Sequence, residues 1–225
     1  KFQRDIGQDL RLNETARNGI TYLNLDEEGL NFLAAAILAK YNKFSFQEIV
    51  GWIKSEGREE RNGIIDKFLG QLNPYDLPPE ELGFLNAQVE YSIDVGGAMD
   101  FVRHRPIKKI GSMMTKDLGH FTDPFWKDVL GQETHDLYER SFEVCHKVWE
   151  KLIDAGMPGV ARYAIQRGDF MRVRTSETGL DMWRLHALRT DIGTDPILRK
   201  VMRTKHDYLI EKYPYVFSHF PVTYR

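Results

Sequence analysis

The sequence has one cysteine, no long apolar run and almost no net charge, and each absence excludes a class of protein. Cys145 has no second cysteine to pair with, so an intrachain disulfide is excluded and we expect a reducing, cytoplasmic setting. There is no run of about 18 apolar residues and no signal-peptide pattern at the start, so no membrane partner is expected. Lys and Arg total 31 against 33 Asp and Glu, a net charge of −2, so we predict no nucleic-acid partner. Any anion site must therefore be local.

The rest of the composition describes a chain that can bury a sizeable core. Of its 225 residues, 42% are hydrophobic, which is enough for one large domain or two small ones. Residues 1–18 are polar and charged, so we predict an arm or linker there and a single domain over 19–225. Because the chain opens at Lys1, we expect it to be a fragment, a processed product or part of a longer polypeptide.

Hydrophobic periodicity predicts a helix-rich α+β fold with a few strands. Val89, Tyr91, Ile93 and Val95 alternate with polar residues, which is the clearest strand signal in the chain. Two further strands are predicted over 20–25 and 169–174. Helices are predicted over 26–40, 45–52, 61–72, 133–155, 178–189 and from 195 to just before Pro214.

Polar residues mark the starts of several of these helices. Ser45 and Glu48 have the spacing of a capping box, and so do Thr178 and Asp181. Asp26 is an N-cap residue in front of an apolar stripe at helical spacing. These signals predict where three helices begin.

The densest group of basic residues is Arg103-His104-Arg105, followed closely by Lys108 and Lys109. We expect this tripeptide at the end of a short helix that follows Gly96-Gly97. Two guanidinium groups that flank an imidazole can bind a phosphate or pyrophosphate bidentately. The simpler interpretation is a solvated basic turn, since a tripeptide is a weak motif.

Two more arginines stand at positions where they can reach the same place. Arg162 follows a Gly-rich break, and Arg189 lies 27 residues later at the end of MWRLHALR. A strand and a helix separate them, so packing of that strand and helix can return both arginines to one cleft. Alternatively, each is a surface arginine that the helix dipole favours at a C-terminus.

Other combinations of reactive residues are weaker signals. Glu143 and His146 have the Glu-x-x-His spacing of a di-iron helix, but the second copy that such a site needs is absent, so no metal site is predicted. Arg172 and Arg174 alternate along a predicted strand and therefore share one face. Whether that face lines a cleft or faces water is left open by the sequence.

Three segments, in their order and spacing, resemble the flavin-dependent thymidylate synthase (ThyX) family. They are EYSIDVGGAMDFVRHR (90–105), LIDAGMPGVAR (152–162) and MWRLHALR (182–189). ITYLNLDEEGLNFLAAAILAKYN (20–42) resembles the family's first strand and helix, so the similarity covers roughly residues 20–215. The resemblance implies a ThyX-like fold with a small, mostly antiparallel sheet.

The resemblance also implies a reaction and a set of ligands. Family members methylate dUMP reductively to dTMP, with methylenetetrahydrofolate as carbon donor and NADPH to reduce a bound FAD. They are homotetramers whose sites are built between subunits, so we expect a homo-oligomer or a second ThyX-like domain as partner. The residues implied as FAD ligands are Arg103, His104, Arg105, Thr178 and Arg184; those implied as dUMP ligands are Arg103, Lys108, Arg162 and Arg189, with Arg189 also the catalytic residue that stabilises negative charge on the ring.

The chain departs from the family after the Arg-His-Arg tripeptide. Where the family has serines, an Asn-Glu pair and an arginine, this chain has Lys108, Ile110, Gly111, Met113 and Thr115. Three hypotheses remain. The chain is an active methylase with a variant site, a degenerate ThyX-like domain that acts as scaffold or completes the site of an intact domain, or an unrelated anion-binding module.

Overall fold

Helices and a small sheet make up the residues that the computed structural model describes, which are 19–73, 76–104, 106–122 and 124–223. The strands are β1 (Gly19–Leu25), β2 (Asn86–Asp94), β3 (Lys108–Gly111) and β4 (Phe170–Thr178). The helices are α1 (Glu27–Ala39), α2 (Phe46–Glu56), α3 (Arg58–Leu69), α4 (Val95–Arg103), α5 (Pro124–Leu130), α6 (Gln132–Asp154), α7 (Pro158–Ala161), α8 (Gly179–Arg189), α9 (Pro196–Lys212) and α10 (Pro214–Phe217). Single 3₁₀ turns lie at Glu80–Phe84, Lys116–Leu118 and Arg162–Ala164.

Contacts divide the chain into two compact units. The sheet unit comprises residues 18–113 and 171–225, and the helical unit takes in residues 114–170. The sheet unit therefore holds almost all of the sheet together with helices α1–α4 and α8–α10. The prediction of one domain over 19–225 stays a prediction.

The sheet has the strand order β1-β2-β4-β3. β1 pairs antiparallel with β2, with an irregularity between Ile20 and Tyr22, and β3 pairs antiparallel with β4. The predicted small, mostly antiparallel sheet and the α+β class are thus confirmed. β1 and β3 form the two edges.

Burial alternates along the first part of β2, and residues 91–94 are buried on both faces. Val89, Tyr91 and Ile93 are buried, whereas Gln88 and Glu90 point to the opposite side. Helix α9 packs on the buried face, where its Lys205 reaches Tyr91. The strand signal read from the sequence is therefore correct, and the strand begins three residues earlier than the alternation suggested.

The three helix starts that the sequence predicted are confirmed. Asp26 accepts the N–H of Glu28, and Ser45 with Glu48 forms a complete capping box. Thr178 and Asp181 form a second complete box at the start of α8. A cap of this kind stabilises a helix by about 1 kcal/mol.

Gly179 sets how closely α8 approaches the turn at Glu80–Phe84. A Cβ atom on Gly179 would lie 2.5 Å from the carbonyl oxygen of Leu82, which is shorter than any real contact. The backbone N–H of Gly179 donates to the carbonyl oxygen of Leu85 at 2.8 Å. Only glycine allows this approach, so the start of α8 is fixed against the sheet unit's core.

The helical unit is organised around the 23-residue helix α6. Its buried residue is Phe142, on which the ring of His120 stacks with centroids 4.0 Å apart. His146 pairs with the fully buried carboxylate of Asp169 at 2.6 Å. Polar pairs therefore contribute a large part of this unit's packing.

Four elements were not predicted, namely β3, α5 and the single-turn helices α7 and α10. β3 has no apolar alternation and forms because β4 offers it a hydrogen-bonding partner, and α5 begins at a proline that suits the first turn of a helix. Within the described residues, no helix combines the length and the apolar character needed to cross a membrane.

Candidate functional site

His104 lies at the C-terminal end of α4 with its side chain inside the sheet unit. The backbone N–H of His104 donates to the carbonyl oxygen of Phe101 at 3.1 Å, at the end of the helix. The residue is only 8% exposed. Its Nε2 atom is buried and has no hydrogen-bond partner among the described residues. Buried polar atoms normally have partners, so this nitrogen is a candidate ligand contact.

Burial and nearby charges set the state of this imidazole. Burial lowers the pKa of His104, and the positive charges of Arg189 and Lys109 lower it further, against the opposing effect of Asp181 and Glu177. The ring is therefore neutral at pH 7. A neutral imidazole has one nitrogen that donates and one that accepts.

Arg189, the last residue of α8, lies next to the same helix end. Its Nη2 atom donates to the backbone carbonyl of Asp100 at 3.2 Å, while its Nε atom is buried with no described partner. The Asp100 carboxylate in turn lies 3.3 Å from Nη1 of Arg103, whose side chain is 78% exposed. Asp100 thus contacts both arginines, Arg103 through its carboxylate and Arg189 through its backbone carbonyl. We call Arg103, His104 and Arg189 the basic cluster.

The two lysines after the tripeptide have different roles. Lys109 points toward the buried face and donates from Nζ to the carbonyl oxygen of His104 at 2.6 Å. Lys108 is exposed at the start of β3. Lys109 therefore holds the end of α4, and Lys108 is the lysine that a ligand can reach.

Two predicted ligands are not part of this picture. Arg105 falls outside the described residues. Arg162 belongs to the helical unit, where its exposed guanidinium lies over the ring of Tyr163 at 4.9 Å and donates to the Tyr163 hydroxyl at 3.0 Å. Its role as a dUMP ligand remains a prediction.

Thr178, the N-cap of α8, and Arg184 within α8 were predicted as FAD ligands. The Thr178 hydroxyl accepts the N–H of Asp181 at 3.1 Å and donates to the Asp181 carboxylate at 2.8 Å. Arg184 is exposed on the same helix. The only hydrogen of the Thr178 hydroxyl is thus used for capping, which leaves one acceptor lone pair for a ligand.

Sequence analysis missed a buried polar network beneath the cluster. Lys205 forms an ion pair with Glu177, and both side chains are fully buried. Glu177 also accepts the hydroxyls of Tyr91 and Thr175, each at 2.6 Å, and Lys205 donates to the Tyr91 hydroxyl at 2.8 Å. Burial lowers the pKa of Lys205 and raises that of Tyr91. The available signal was the position of Lys205 on the apolar stripe of α9.

Two grooves on helix α1 of the sheet unit have a different chemistry. A groove of about 390 Å³ between α1 and α2 is lined by Leu38, Phe44 and Trp52 among others. A second groove of about 530 Å³ lies between α1 and α3. Neither is lined by an arginine or a histidine, and the second has Lys67 and Glu60 as its charged side chains. No group of three His, Cys, Asp or Glu side chains in the described ranges could hold a metal ion.

Comparison with known proteins places the fold. No protein-family model and no curated protein matches the sequence. Among solved structures, the chain is similar to PolB of Streptomyces cacaoi, a UMP/dUMP methylase solved with bound 5-Br dUMP. The TM-score is 0.63 at 13% identity, over 91% of this chain and 95% of that chain. At this identity the likeness shows the fold, which is the ThyX-like α+β fold that the sequence predicted.

Proposed function

We propose that this protein is a ThyX-like nucleotide methylase that binds a uridine nucleotide and FAD at the basic cluster. One observation carries the proposal. Buried nitrogens of His104 and Arg189 have no described partner and lie at the end of α4, in a fold shared with a UMP/dUMP methylase. Unpartnered buried donors and acceptors indicate a ligand that completes them.

The proposed role of Arg189 is to bind the uracil edge and to stabilise negative charge on the ring. Its guanidinium stays cationic at all relevant pH values and is already oriented by the Asp100 carbonyl. A charge that is fixed before the reaction does not have to reorganise when charge develops on the substrate. Arg162 is proposed to bind the nucleotide phosphate.

The residues present fit the phosphate groups of FAD. Arg103 offers an exposed guanidinium and His104 an unpartnered nitrogen, and these are suitable anion ligands. Thr178 and Arg184 are proposed to hold the flavin from α8. When bound, FAD supplies hydride transfer from NADPH, with methylenetetrahydrofolate as the one-carbon donor.

The test starts from the visible spectrum of the purified chain and from dUMP titration by calorimetry. We expect a flavin band, saturable dUMP binding and formation of dTMP when methylenetetrahydrofolate and NADPH are added. Arg189→Gln should weaken dUMP binding by about tenfold or more, because it removes a charge-assisted hydrogen bond. Arg58→Gln, at an exposed position on α3, is the matched control and should bind normally. A colourless protein that does not bind dUMP would exclude the proposal.

A second candidate function is a non-catalytic ThyX-like domain that completes the site of an intact partner domain. The observation that favours it is β3, which holds residues 108–111 in a ladder with β4. Ile110 and Gly111, at the family's Asn-Glu positions, offer no side-chain oxygen, and Ile110 is 70% exposed. This hypothesis predicts dUMP binding without turnover, and turnover only after an intact ThyX-like domain is added.

A further inference from the structure

The face of the sheet opposite α9 carries an excess of positive charge. On β2, Gln88 contacts Ser176 of β4, and Glu90 contacts Arg174. The partner number falls by two on β4 when the residue number rises by two on β2, so the two strands are antiparallel. The next pair of positions on this face is therefore Ser92 and Arg172. We call the face defined by Gln88, Glu90, Ser92, Arg172, Arg174, Ser176 and Lys108 the open sheet face.

Glu90 lies on the Nε side of both guanidinium groups and orients the two arginines from that side. Its carboxylate lies 2.5 Å from Nε of Arg174 and 3.7 Å from Nε of Arg172. Its Oε1 atom also accepts the hydroxyl of Thr21 at 2.8 Å. The terminal nitrogens of Arg172 and Arg174 have no described partner, so both forks remain available to a ligand.

The register brings a third cation to the two arginines. Lys108 is opposite Ser176 and Ile110 is opposite Arg174, so Lys108 is a diagonal neighbour of Arg174 on the same face. Diagonal neighbours in a sheet are about 7–8 Å apart, within reach of long side chains. Three cations therefore share this face with Glu90, which is the one carboxylate on the described strands of this face apart from Asp94, the N-cap of α4.

A buried hydroxyl adds an independent sign of a missing ligand. Ser92 is 1% exposed and its Oγ atom has no described partner, and the Nε atom of Arg172 is buried with no hydrogen bond and only the 3.7 Å approach of Glu90. Ser92 and Arg172 occupy adjacent positions on the open sheet face. Buried polar atoms that the chain leaves unpaired are normally satisfied by a ligand or water.

We propose that the open sheet face binds the phosphate or diphosphate group of a small phosphorylated molecule. Arg172 and Arg174 are two residues apart on one strand, so their Cα atoms are about 6.6 Å apart, a spacing at which one diphosphate can contact both side chains. Lys108 adds the third positive charge. This site does not rest on the proposed function, since it lies on the other face from Lys109 and uses different arginines.

Stabilisation of the sheet alone does not account for this arrangement. A cross-strand pair between one arginine and Glu90 would contribute about 0.2–1 kcal/mol, and a second arginine adds little to a carboxylate already paired. The lysine and the second guanidinium are left as net repulsive charge on one face. A bound anion would remove that repulsion.

The test uses inorganic pyrophosphate as the probe, with calorimetric titration of the full chain in a phosphate-free buffer. We expect a saturable site that depends on Arg174 and weakens as salt is raised. Arg174→Gln should weaken binding about tenfold or more and Lys108→Gln about threefold, because each removes one cation from the site. Arg174 is 58% exposed, so its loss does not threaten folding. The matched controls are Arg58→Gln and Lys67→Gln on α3.

Each result decides the question. Absence of saturable binding, or equal weakening by Arg58→Gln and Arg174→Gln, would overturn the proposal, because the effect would then reflect general charge. The Arg189→Gln protein should keep the pyrophosphate site that depends on Arg174. If the unchanged chain binds pyrophosphate at this site but does not bind dUMP, the methylase proposal alone fails, and the reverse pattern would count against the phosphate site alone. Titration with dUMP, in Arg174→Gln as well, tells whether a nucleotide is the source of the phosphate.

Discussion

The two faces of the sheet both carry ion pairs, but they use them differently. On the buried face, Glu177 has Lys205, Tyr91 and Thr175 as partners, and the pair is fully buried. On the open sheet face, Glu90 meets two arginines whose terminal nitrogens have no described partners. The first arrangement is complete within the chain, and the second is not.

This difference separates charges that maintain the fold from charges that are available to a ligand. Removal of one partner of a buried pair leaves an uncompensated charge in the core and costs about 3–5 kcal/mol. An exposed pair contributes about 0–1 kcal/mol, so it can be changed with little effect on folding. Substitutions in the buried pair should therefore lower the free energy of unfolding more than substitutions on the open sheet face. Substitutions on the open sheet face should weaken ligand binding more.

The largest expected effect is that of Lys205→Met. Met matches the length of the lysine but leaves Glu177 buried without its cation, so we expect the free energy of unfolding to fall by about 3–5 kcal/mol. Urea denaturation measures it. The double variant Lys205→Met with Glu177→Gln should recover part of the loss, because no charge is then left unpaired. Arg174→Gln, the comparison on the open face, should cost less than about 1 kcal/mol. Equal losses for Lys205→Met and Arg174→Gln would contradict the distinction between the faces.

The second effect is a loss of stability in mild acid. Burial lowers the pKa of His104 and His206 below the ordinary value of 6.5, and it lowers that of His186 well below, with added repulsion from Lys205. Below pH 6.5 the unfolded chain takes up these protons first, so stability falls as the pH falls and is unaffected above that value. Each group contributes at most about 1.4 kcal/mol per pH unit.

Asp94 acts in the opposite sense, which limits this acid loss. Its pKa is raised to about 6, so below pH 6 the folded state takes up one proton before the unfolded state does. Three histidines still outweigh one carboxyl group. Urea midpoints at pH 7 and pH 5 measure the net effect, and a midpoint that is unchanged or higher at pH 5 would contradict it.

The third effect is a gain of stability in Asp94→Asn. Burial raises the pKa of Asp94 to about 6, and the charge of Asp195 adds to the shift, so the ionised form is held at a cost at pH 8. Asn keeps an acceptor for the N–H of Gly97, which now lies 3.1 Å from the carboxylate. We expect a gain of roughly 1–2 kcal/mol at pH 8 that shrinks as the pH falls through 6 and disappears only below about pH 4, where the carboxyl group is protonated in the unfolded chain as well.

The matched control for Asp94→Asn is Asp26→Asn. Asp26 is also an N-cap, but it is exposed and accepts the N–H of Glu28 at 3.0 Å. We expect almost no change there at either pH. A similar gain at both positions would mean that the amide itself, rather than relief of the buried charge, stabilises the variant.

Local signals explain how much of the fold was predicted. Capping at Asp26, Ser45 and Thr178 depends on residues within one turn of the helix, so the sequence is sufficient to locate these starts. β3 has only four residues and exists because β4 pairs with it, and no local pattern contains that information. Local chemistry decides where helices begin, whereas partner strands decide where short edge strands form.

The candidate site divides in the same way. The meeting of the tripeptide with Arg189 was predicted, and Arg189 does lie beside the end of α4 with His104. The contacts of Asp100 with the two arginines were not predicted, although Asp100 and Arg103 have the i, i+3 spacing at which side chains meet on a helix. The burial of His104 and the contacts of Glu90 depend on tertiary packing. The alternation of Arg172 and Arg174 along the strand could not predict these contacts.

The smallest expected effect concerns Thr178, at the end of β4, which the sequence assigned to FAD and the structure uses as a helix cap. Thr178→Ala removes the capping hydroxyl, so the free energy of unfolding should fall by about 1 kcal/mol. Ser45→Ala removes the hydroxyl of the other capping box and should lower the free energy of unfolding by the same amount. Urea denaturation measures both variants. Ser45 lies away from the basic cluster, so its variant should keep the flavin absorbance of the parent. If Thr178 also holds FAD through its free lone pair, flavin occupancy falls only in Thr178→Ala and returns in Thr178→Ser. Equal occupancy in both alanine variants would leave Thr178 with the cap alone and would place the flavin contacts on the cluster at the end of α4.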